Sequence, residues 1–487
     1  MDHYFYSGFD WIGKFEDTLI ETDMGTRLTE KVCMTETLTQ HKTVIIGLGK
    51  TGLSCARFLS SQGMPFVIMD NRDRPPELDN LKNLLPDAHV FLGELVRDVL
   101  CHADELILSP GLPSSHPAIR EAVNNGAVVI GDIEIFARYV NAPVIAVTGS
   151  NGKSTVASLI SEMVKRSGLR TLLGGNIGTP ALDLLTQENP DFYVLELSSF
   201  QLELVSSLNA IAAVTLNVSA DHMDRYADLE SYAAAKQRIY RGNGYMIINS
   251  DDSYSSTMVE EDRNIIRYSL YPPLADNEFG MVDREGQSWL VFGDEYLLPV
   301  SDLLLKGRHN ISNSLAALAL GKAVGLPMQA MLETLKTFAG LPHRCQRIDC
   351  IRGVEWFNDS KGTNVGATYA AIEGLGGEKD LILIAGGEGK GADFSVLKET
   401  VSEHVHTIIL IGRDANRIAS ALNGYAEILH ATSLGSAVQT AAEIARPGEK
   451  VLLSPACASF DMFRDYQERG EVFVQAVNKL HSRGMGE

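Results

Sequence analysis

The stretch from Ala142 to Ser167 constrains this chain more than any other part of its sequence. It begins with the apolar run Val144–Val147, continues through a polar turn that contains glycine, and ends in apolar residues that recur at helical spacing. A strand, a glycine loop and a helix in this order surround an anion with backbone N–H groups and the positive end of the helix. Lys153 can reach terminal phosphates and the Ser154 hydroxyl can hold Mg²⁺, so the pattern predicts an ATP-binding loop. The alternative is a plain turn with a surface lysine.

The net charge of the chain restricts the partners that it can have. The sequence has 487 residues and a formal net charge of −20, which argues against a general nucleic-acid binder and against an anionic membrane surface. Its 6 cysteines are scattered without metal-ligand spacing, so we interpret them as reduced thiols of a cytosolic protein. No apolar run approaches the length of a membrane span. The length predicts two to four domains.

The first domain is predicted over residues 41–140, after an extension of residues 1–40 that we expect to be poorly ordered. A strand from Thr43 leads into Gly47-x-Gly49-x-x-Gly52 and an apolar-periodic helix, and a second strand ends at Asp70. This layout is typical of a Rossmann-like nucleotide-binding unit, in which the acidic residue holds a ribose hydroxyl. The alternative is that the glycines only permit tight packing.

The second domain is predicted over residues 141–339 and contains the phosphate loop. Glu196 ends a buried strand, and His222 lies in a polar loop after the next strand, so both are candidates for a metal site at the carboxyl edge of a parallel sheet. A structural ion pair and a structural histidine are the alternatives. Lys236, judged by spacing alone, is an ordinary helix lysine. Residues 173–178 are predicted to be rich in turns, and residues 251–299 to form a small hairpin sheet.

The third domain is predicted over residues 340–487, where apolar strands alternate with helical patterns. This alternation predicts a second Rossmann-like domain with a mostly parallel sheet. The loops after its strands, at residues 359–364, 386–391 and 456–460, are expected to converge on one edge of the sheet. Two lysines and several hydroxyls in these loops suit a small anionic substrate.

Taken together, the motifs resemble those of the Mur ligases. The resemblance covers residues from about 41 to 487, and the first and last domains are most similar to those of the members that add D-glutamate. It implies three α/β domains: an N-terminal Rossmann-like domain, a central P-loop ATPase domain with a parallel sheet plus a small antiparallel sheet, and a C-terminal Rossmann-like domain. The matching segments are Gly149–Thr155, Glu196–Leu202, Asp221–Tyr226, His309–Asn313, His343–Arg344 and Asn358–Asn364.

The resemblance also implies a reaction and its small-molecule partners. The carboxylate of UDP-N-acetylmuramoyl-L-alanine (UDP-MurNAc-L-Ala) would attack the γ-phosphate of ATP, and the amine of D-glutamate would then displace phosphate from the acyl phosphate. ATP and Mg²⁺ are the implied cofactors, and a monomer in the cytoplasm is the expected form. Substrates from three domains would have to meet, so we expect domain closure during turnover.

The resemblance assigns candidate roles to individual residues of this chain. The catalytic residues would be Lys153, His222 and a carbamylated Lys236. ATP would be held by Gly149, Asn151, Gly152, Lys153, Ser154, Thr155, Asn310, Arg344 and Asp359, and Mg²⁺ by Ser154, Glu196, His222 and Lys236. The UDP-sugar would be bound by Lys50, Thr51, Asp70, Asn71, Arg72, Gly111 and Asn176. D-Glutamate would be bound by Lys361, Thr363, Lys390, Ser459 and Tyr466, the last standing where the family usually has Phe.

Three other functions remain open at this stage. Another amide ligase of the same family, of the folylpolyglutamate or diamino-acid-adding type, would share the ATP-binding core. An NAD-dependent dehydrogenase would use the glycines between Gly47 and Gly52 but would leave the phosphate loop unexplained. A non-catalytic nucleotide-binding switch would bind ATP without forming an amide.

Overall fold

The computed structural model describes residues 42–260 and 262–483 of the chain. These residues belong to two compact units, whose boundary in the sequence lies between Ile135 and Phe136. The expected extension of residues 1–40 lies outside the described residues, as does residue 41, the first of the predicted first domain. Among the described helices, none is both long and apolar enough to cross a lipid bilayer.

The first unit is built around a five-stranded sheet with the strand order β3-β2-β1-β4-β5, in which every pair is parallel. The strands are β1 (Thr43–Ile46), β2 (Val67–Asp70), β3 (His89–Leu92), β4 (Glu105–Leu108) and β5 (Val128–Ile130). The helices are α1 (Lys50–Ser61), α2 (Leu78–Leu84), α3 (Arg97–Cys101) and α4 (Pro117–Asn124), followed by α5 (Asp132–Tyr139), which spans the unit boundary.

The second unit contains two sheets, of which the first has the order β14-β13-β12-β11-β10-β9-β6-β8-β7. Its strands are β6 (Val144–Thr148), β7 (Thr171–Gly175), β8 (Phe192–Glu196), β9 (Ala212–Thr215), β10 (Tyr245–Asn249), β11 (Ile265–Tyr268), β12 (Glu278–Arg284), β13 (Gln287–Phe292) and β14 (Glu295–Pro299). The helices are α6 (Lys153–Arg166), α7 (Ala181–Leu184), α8 (Ser199–Glu203), α9 (Leu229–Gln237), α10 (Arg308–Ala323) and α11 (Met328–Thr337), with 3₁₀ turns at Arg238–Tyr240, Ser255–Thr257 and Val300–Asp302.

The second sheet of this unit has the order β15-β16-β20-β17-β18-β19. Only its edge pair β15–β16 is antiparallel. The strands are β15 (Gln346–Ile351), β16 (Val354–Asn358), β17 (Leu381–Gly386), β18 (Val405–Ile411), β19 (Glu427–His430) and β20 (Lys450–Leu453). The helices are α12 (Val365–Leu375), α13 (Lys398–His404), α14 (Ala415–Leu422), α15 (Leu434–Ile444) and α16 (Tyr466–Arg483), with a 3₁₀ turn at Phe394–Leu397.

The sheets agree with the predicted fold class. Every residue of β6 is buried, as expected of a parallel strand that is covered on both faces. The antiparallel run β12-β13-β14 lies within residues 251–299, where the sequence predicts a hairpin sheet. The three-domain α/β fold class is therefore confirmed. The boundaries after residues 140 and 339 remain predictions, since the structure separates two compact units and places the last two sheets in one of them.

One local prediction is wrong in its first half. Residues 173–178 are predicted to be rich in turns, and the chain does bend at residues 176–178, but Leu173 to Gly175 belong to strand β7, which pairs in parallel with β8. The glycines that suggest a turn serve close packing instead: a Cβ on Gly174 would lie 2.3 Å from the Thr179 carbonyl oxygen, and one on Gly175 would lie 2.5 Å from that of Glu196. A side chain at either position would push the neighbouring backbone away.

Candidate active site

The phosphate loop joins β6 to α6 in a conformation that only glycine adopts easily. Gly152 precedes the helix with a φ of +84°, in the left-handed region. A Cβ on Gly152 would also lie 2.4 Å from Asn313 Oδ1, so both the backbone angle and the space require glycine. The loop is held from outside by Asn217, whose carbonyl accepts from the Ser150 N–H at 2.9 Å. These contacts leave the positive start of α6 facing the loop, as anion binding requires.

Lys153 is the first residue of α6, and its side chain folds back over the loop. Its Nζ donates to the carbonyl oxygens of Gly149 at 2.7 Å and Ser150 at 2.8 Å. Burial lowers the pKa of Lys153, although the carboxylates of Glu196 and Asp221 partly oppose that effect. The lysine is thus a desolvated cation whose present acceptors are neutral, and the phosphates of a nucleotide would give it a stronger partner.

Ser154 connects the phosphate loop to two other predicted site residues. Its Oγ donates to Glu196 Oε2 at 2.5 Å and accepts from Arg344 Nη2 at 2.6 Å. Glu196 is the last residue of β8 and is 3% exposed. Its other oxygen, Oε1, accepts from Asn176 Nδ2 at 2.8 Å. Residues far apart in the sequence therefore meet at one hydroxyl group.

Lys236 lies on α9 and is buried, with 1% of its surface exposed. Its Nζ donates to the Gly149 carbonyl at 2.9 Å, so it shares this acceptor with Lys153. Burial, and then the nearby charge of Lys153, lower the pKa of Lys236 well below its ordinary value. No carboxylate in the described part of the chain forms an ion pair with Lys236. A buried lysine without such a partner is costly, so its interpretation as an ordinary helix lysine does not describe this structure.

His222 follows β9 on the adjacent loop with a φ of +57°, which is uncommon for a residue with a side chain. Its ring centre lies 4.8 Å from that of Phe200 in an edge-on contact. Burial lowers the pKa of His222, with Asp221 partly opposing, and so favours the neutral imidazole that ligates metals. The charges of Lys390 and Lys153 contribute to the same shift, which relates His222 to both the phosphate loop and the third-domain loops.

The predicted magnesium site can be tested on the chemistry of these side chains. The hydroxyl of Ser154 and the carboxylate of Glu196 are oxygen donors of the kind that Mg²⁺ prefers, and they are adjacent. Lys236 as an ammonium group does not fit a cation, whereas a carbamate on it would supply oxygen ligands. Within residues 42–260 and 262–483, three His, Cys, Asp or Glu ligand atoms come within 4.8 Å of one another only at Glu373, Glu403 and His404, which are not among the predicted ligands. The assignment of Mg²⁺ to Ser154, Glu196, His222 and Lys236 stays a prediction.

A cavity of about 510 Å³ lies beside the phosphate loop. It is lined from one side by the start of α10 and from the other by the loop after β16. Asn310 lies in the first turn of α10, whose N-cap residue is Gly307. Its Oδ1 accepts from Asn313 Nδ2 at 3.3 Å. The predicted ATP residues among those lining the cavity are Asn151, Gly152, Thr155, Asn310, Arg344 and Asp359.

Asp359 is a buried carboxyl group whose ionisation should be visible in the stability of the protein. Burial raises its pKa to about 6, although hydrogen bonds from Ser454 Oγ at 2.8 Å and the Cys345 N–H at 3.2 Å oppose this. The folded chain therefore retains a proton that the unfolded chain, with an ordinary pKa of 3.8, has lost. Stability contributed by this group is present below the unfolded pKa and is lost as pH rises through the folded one.

Replacing Asp359 with asparagine is expected to remove this pH dependence. Between about pH 4 and pH 7 the free energy of unfolding of the wild type, relative to that of Asp359→Asn, should fall by about 2–3 kcal/mol. Urea unfolding without nucleotide, at several pH values across this window, measures the difference. A constant difference would show that Asp359 titrates at its ordinary pKa in the folded protein.

The three loops predicted to converge in the third domain do lie together. The loops after β17 and β20 pair through Glu388 and Ala458, whose backbones exchange hydrogen bonds of 3.0 and 2.9 Å. The loops after β16 and β20 are joined by the Ala456 N–H, which donates to the Gly362 carbonyl at 3.0 Å. The predicted D-glutamate residues on these loops are Lys361, Thr363, Lys390 and Ser459.

Lys361 is the buried cation of this loop cluster. Its Nζ lies 3.8 Å from the centre of the Tyr466 ring, at the start of α16. Burial, and then the nearby Arg344, lower the pKa of Lys361 to about 8, with Glu196 among the opposing charges. A cation over an aromatic face needs the ring and not its hydroxyl, so Tyr466 can make the contact that a phenylalanine would make.

The predicted UDP-sugar residues of the first unit lie at or after the carboxyl ends of three strands, β1, β2 and β4. A Cβ on Gly52 would lie 1.9 Å from the Gly47 carbonyl oxygen, so this glycine is needed for close packing. Asp70 is buried at the end of β2, and its Oδ2 accepts from the Leu48 N–H at 2.7 Å. Burial would raise the pKa of Asp70, but hydrogen bonds from Arg72 and Leu48 outweigh it and lower that pKa. Asp70 therefore orders the turn and Arg72, a contact that the ribose interpretation does not include.

The remaining residues of that set are placed differently. Lys50, Asn71, Arg72 and Gly111 are exposed, and Thr51 is partly buried in the first turn of α1. Asn176 belongs to the second unit, where it contacts Glu196. Whether these residues bind a UDP-sugar stays a prediction.

Sequence reasoning did not assign roles to Asn217, Asn313 or Asn364. Asn217 fixes the phosphate loop through the Asn151 N–H, which donates to its Oδ1 at 2.9 Å. Asn217 lies just after β9, at the sheet edge where the sequence places Glu196 and His222, so the same strand-end rule could have found it. Asn364 also lies in a loop after a strand, but nothing in the sequence indicates that it contacts Asn151 and Asp221. Asn313 donates to Asn310, three residues earlier on α10, a contact that helical spacing allows but does not predict.

Comparison with known proteins agrees with these observations. Models of three domains match the chain in order: the Mur ligase MurD-like N-terminal domain at residues 41–131, the Mur ligase middle domain at 147–321, and the glutamate ligase domain of Mur ligases at 343–457. A UDP-N-acetylmuramoylalanine--D-glutamate ligase of Nitrosococcus oceani is 52% identical over 439 residues, which cover 90% of this chain and 97% of that protein. Its counterpart from Marinobacter nauticus is 51% identical over 448 residues, covering 92% and 100%.

Solved structures share the fold at low sequence identity. The UDP-N-acetylmuramate-alanine ligase of Thermotoga maritima matches with a TM-score of 0.57 and 18% identity, over 90% of this chain and 99% of that one. The ligase MurF from Acinetobacter baumannii matches with a TM-score of 0.57 and 16% identity, over 90% and 92%. With half of its residues shared over nearly the whole length of its relatives, the chain belongs to the Mur ligase family, among the UDP-N-acetylmuramoylalanine–D-glutamate ligases.

Proposed function

We propose that this protein is an ATP-dependent ligase that joins D-glutamate to UDP-MurNAc-L-Ala, with release of ADP and phosphate, in the synthesis of peptidoglycan precursors. The observation that carries the proposal is the contact between the phosphate loop and the third domain. Ser154 Oγ accepts from Arg344 Nη2 at 2.6 Å, and Arg344 lines the cavity beside the phosphate loop, together with the start of α10, Asp359 and Lys361. A nucleotide bound there would have its phosphates beside the loops proposed for the amino acid.

The first chemical step forms an acyl phosphate. A carboxylate oxygen of UDP-MurNAc-L-Ala attacks the γ-phosphorus of ATP, an O–P bond forms, and the bond to the leaving ADP oxygen breaks. Both reactants are anions, so the site must supply positive charge. Lys153, desolvated at the loop, is the protein cation proposed for the β- and γ-phosphates. Mg²⁺ held by Ser154, Glu196 and His222 would add charge neutralisation at the same place.

The second step forms the amide. The neutral amine of D-glutamate attacks the acyl carbon, the C–N bond forms, phosphate leaves with the C–O bond electrons, and the nitrogen loses a proton. Lys361, Thr363, Lys390, Ser459 and Tyr466 are proposed to orient the amino acid. The pKa of Lys361, lowered to about 8, leaves it mainly a cation at neutral pH, which suits a carboxylate of the substrate.

Lys236 is proposed to be carbamylated. The amine attacks CO₂, a C–N bond forms and a proton is released, which converts a buried cation into an anion. Two observations support this. Burial lowers the pKa of Lys236 and so favours the neutral amine that reacts with CO₂, and the cation Lys153 lowers the same pKa further and shares the Gly149 carbonyl with Lys236. The carbamate would pair with that cation and provide oxygen ligands for Mg²⁺.

The setting of the reaction follows from its substrates. ATP and a UDP-sugar are cytoplasmic metabolites, so we propose that the enzyme acts in the cytoplasm, as a monomer with small-molecule partners only. Another amide ligase of the family is not favoured, because the curated relatives that share about half of the residues are D-glutamate ligases.

Phosphate release from ATP with Mg²⁺ tests the function. We expect release only when UDP-MurNAc-L-Ala and D-glutamate are both present, with L-glutamate and diamino acids giving little. The amide product should appear in equal amount to phosphate. Phosphate release in the absence of either substrate, or with L-glutamate in place of D-glutamate, would contradict the proposal that D-glutamate is joined to UDP-MurNAc-L-Ala.

A further inference from the structure

Asn364 ends the loop that follows β16 and begins helix α12. Its Oδ1 accepts from the Ala367 N–H at 2.8 Å, so the side chain caps the helix. Its Nδ2 donates to Asn151 Oδ1 at 3.2 Å and to Asp221 Oδ2 at 3.2 Å, and Asn151 Nδ2 donates back to Asn364 Oδ1 at 3.4 Å. One amide group therefore joins the loop that carries Lys361 and Thr363 to the phosphate loop and to the loop that carries His222.

The partners of this amide are themselves held in place. Asn151 donates its N–H to Asn217 Oδ1 at 2.9 Å, and Asn217 Nδ2 donates to the Asn151 carbonyl at 3.1 Å. Asp221 Oδ1 accepts from the His222 N–H at 3.0 Å. Asn364 is 9% exposed, so these hydrogen bonds are largely shielded from competing water. The amide is thus a contact between fixed elements and not between flexible surface side chains.

The backbone next to Asn364 packs closely against the same loops. A Cβ on Gly366, in the first turn of α12, would lie 3.1 Å from Ser219 Oγ and 3.4 Å from Asn151 Nδ2. The start of α12 therefore rests directly on the phosphate loop and on the segment after β9. A small displacement of this helix would break both the packing and the hydrogen bonds of Asn364.

We propose that Asn364 is a positioning residue for the ligation, which fixes the loop of Lys361 and Thr363 relative to the phosphate loop. The proposal rests on the proposed function, since that function assigns D-glutamate to these two residues. Asn364 would not touch a substrate. It would act by holding the loop of Lys361 and Thr363 in the position in which these residues bind the amino acid, so that loss of the contact weakens the binding of D-glutamate.

The test uses Asn364→Asp and Asn364→Ser in the full-length enzyme. Both residues are good helix caps, so α12 keeps its N-terminal acceptor, while the amide donor to Asn151 and Asp221 is lost. We expect the KM for D-glutamate to rise about tenfold, within the range of typical coupling between sites, with less change in kcat. The KM for UDP-MurNAc-L-Ala should stay the same. A merely structural defect would instead lower the amount of active enzyme and leave the KM for D-glutamate unchanged.

A matched control and a double variant complete the experiment. Ser433→Ala removes an N-cap from α15, whose N-cap residue is exposed and does not line the cavity, so the KM for D-glutamate should not change. The double variant Asn364→Asp with Asp221→Asn reverses donor and acceptor. It should therefore show a smaller rise in this KM than the product of the two single effects. Thermal unfolding identifies the variants that fold. If Asn364→Asp does not fold, Asn364→Ser is used in its place.

Two results would overturn the proposal. One is a KM for D-glutamate in both folded single variants equal to that of the wild type. The other is a double variant whose effect is the simple product of the single effects, because residues that do not interact give multiplicative changes. Failure of the proposed function is distinguishable, since the wild type itself would then form no amide from D-glutamate.

Discussion

Lys153→Ala is expected to lower kcat for amide formation by roughly 10³-fold, at the upper end of what removal of one charge-stabilising donor costs an enzyme. The Nζ of Lys153 lies over the phosphate loop, bonded to two carbonyl oxygens, where it can transfer its hydrogen bonds to phosphates. In the variant Gly149 and Gly152 still determine the conformation of the loop, but the cation beside the β- and γ-phosphates is lost. Steady-state phosphate release and product formation measure the loss.

The fold should survive this substitution, because burial already opposes the charge of Lys153. The thermal unfolding midpoint of the variant should therefore equal or exceed that of the wild type. Lys165→Ala is the matched control: Lys165 lies on the same helix, is exposed and pairs with Glu162 at 2.7 Å, so activity should change less than about twofold. Near-normal turnover in folded Lys153→Ala would refute the role.

Lys236→Ala is expected to abolish detectable ligation, and short carboxylic acids such as acetate or formate should restore part of it. The space left by the side chain would admit a carboxylate, which would supply the oxygen atoms of the missing carbamate. The site that receives it is adjacent to the Gly149 carbonyl and Lys153, so the added anion would find a cation. Activity is measured as a function of acid concentration, and the wild-type protein is weighed intact by native mass spectrometry.

Lys322→Ala is the control for this experiment, since Lys322 lies exposed near the end of α10 with its Nζ 4.8 Å from the Phe292 ring centre. It should neither lose activity nor respond to the acids. If the wild type shows no added mass on Lys236 and the variant no rescue, the lysine acts as an amine and the carbamate assignment fails.

The phosphate loop could be predicted from sequence because its determinants are local. A buried strand, two glycines and a lysine within a few residues specify both the conformation and the ligand. The loops of the third domain could be predicted for a related reason: the carboxyl ends of parallel strands share one edge, so Asp359, Lys390 and Ser459 follow from strand order. In these cases the residues that form the feature are neighbours in the sequence or lie at the same edge of one sheet.

The features that sequence reasoning missed arise between distant segments. Lys236 is separated by 87 positions from its acceptor Gly149, and its burial is invisible to helical periodicity. The glycines of β7 suggest a turn, but their cause is the approach of neighbouring backbone at Thr179 and Glu196. The sequence at Asn364 indicates only the start of a helix, and the tertiary structure brings Asn151 and Asp221 to it as further partners.

The strand order of the last sheet has a consequence for how the protein is made. β20 lies between β16 and β17, although it is the last strand to leave the ribosome. During synthesis β16 and β17 therefore each keep one edge unpaired until Lys450–Leu453 has emerged and can pair with both. The phosphate-loop sheet is complete long before that moment. A nascent chain that stalls or is released before Lys450 would carry a finished nucleotide loop beside a split sheet, with its apolar strand edges open to chaperones and proteases.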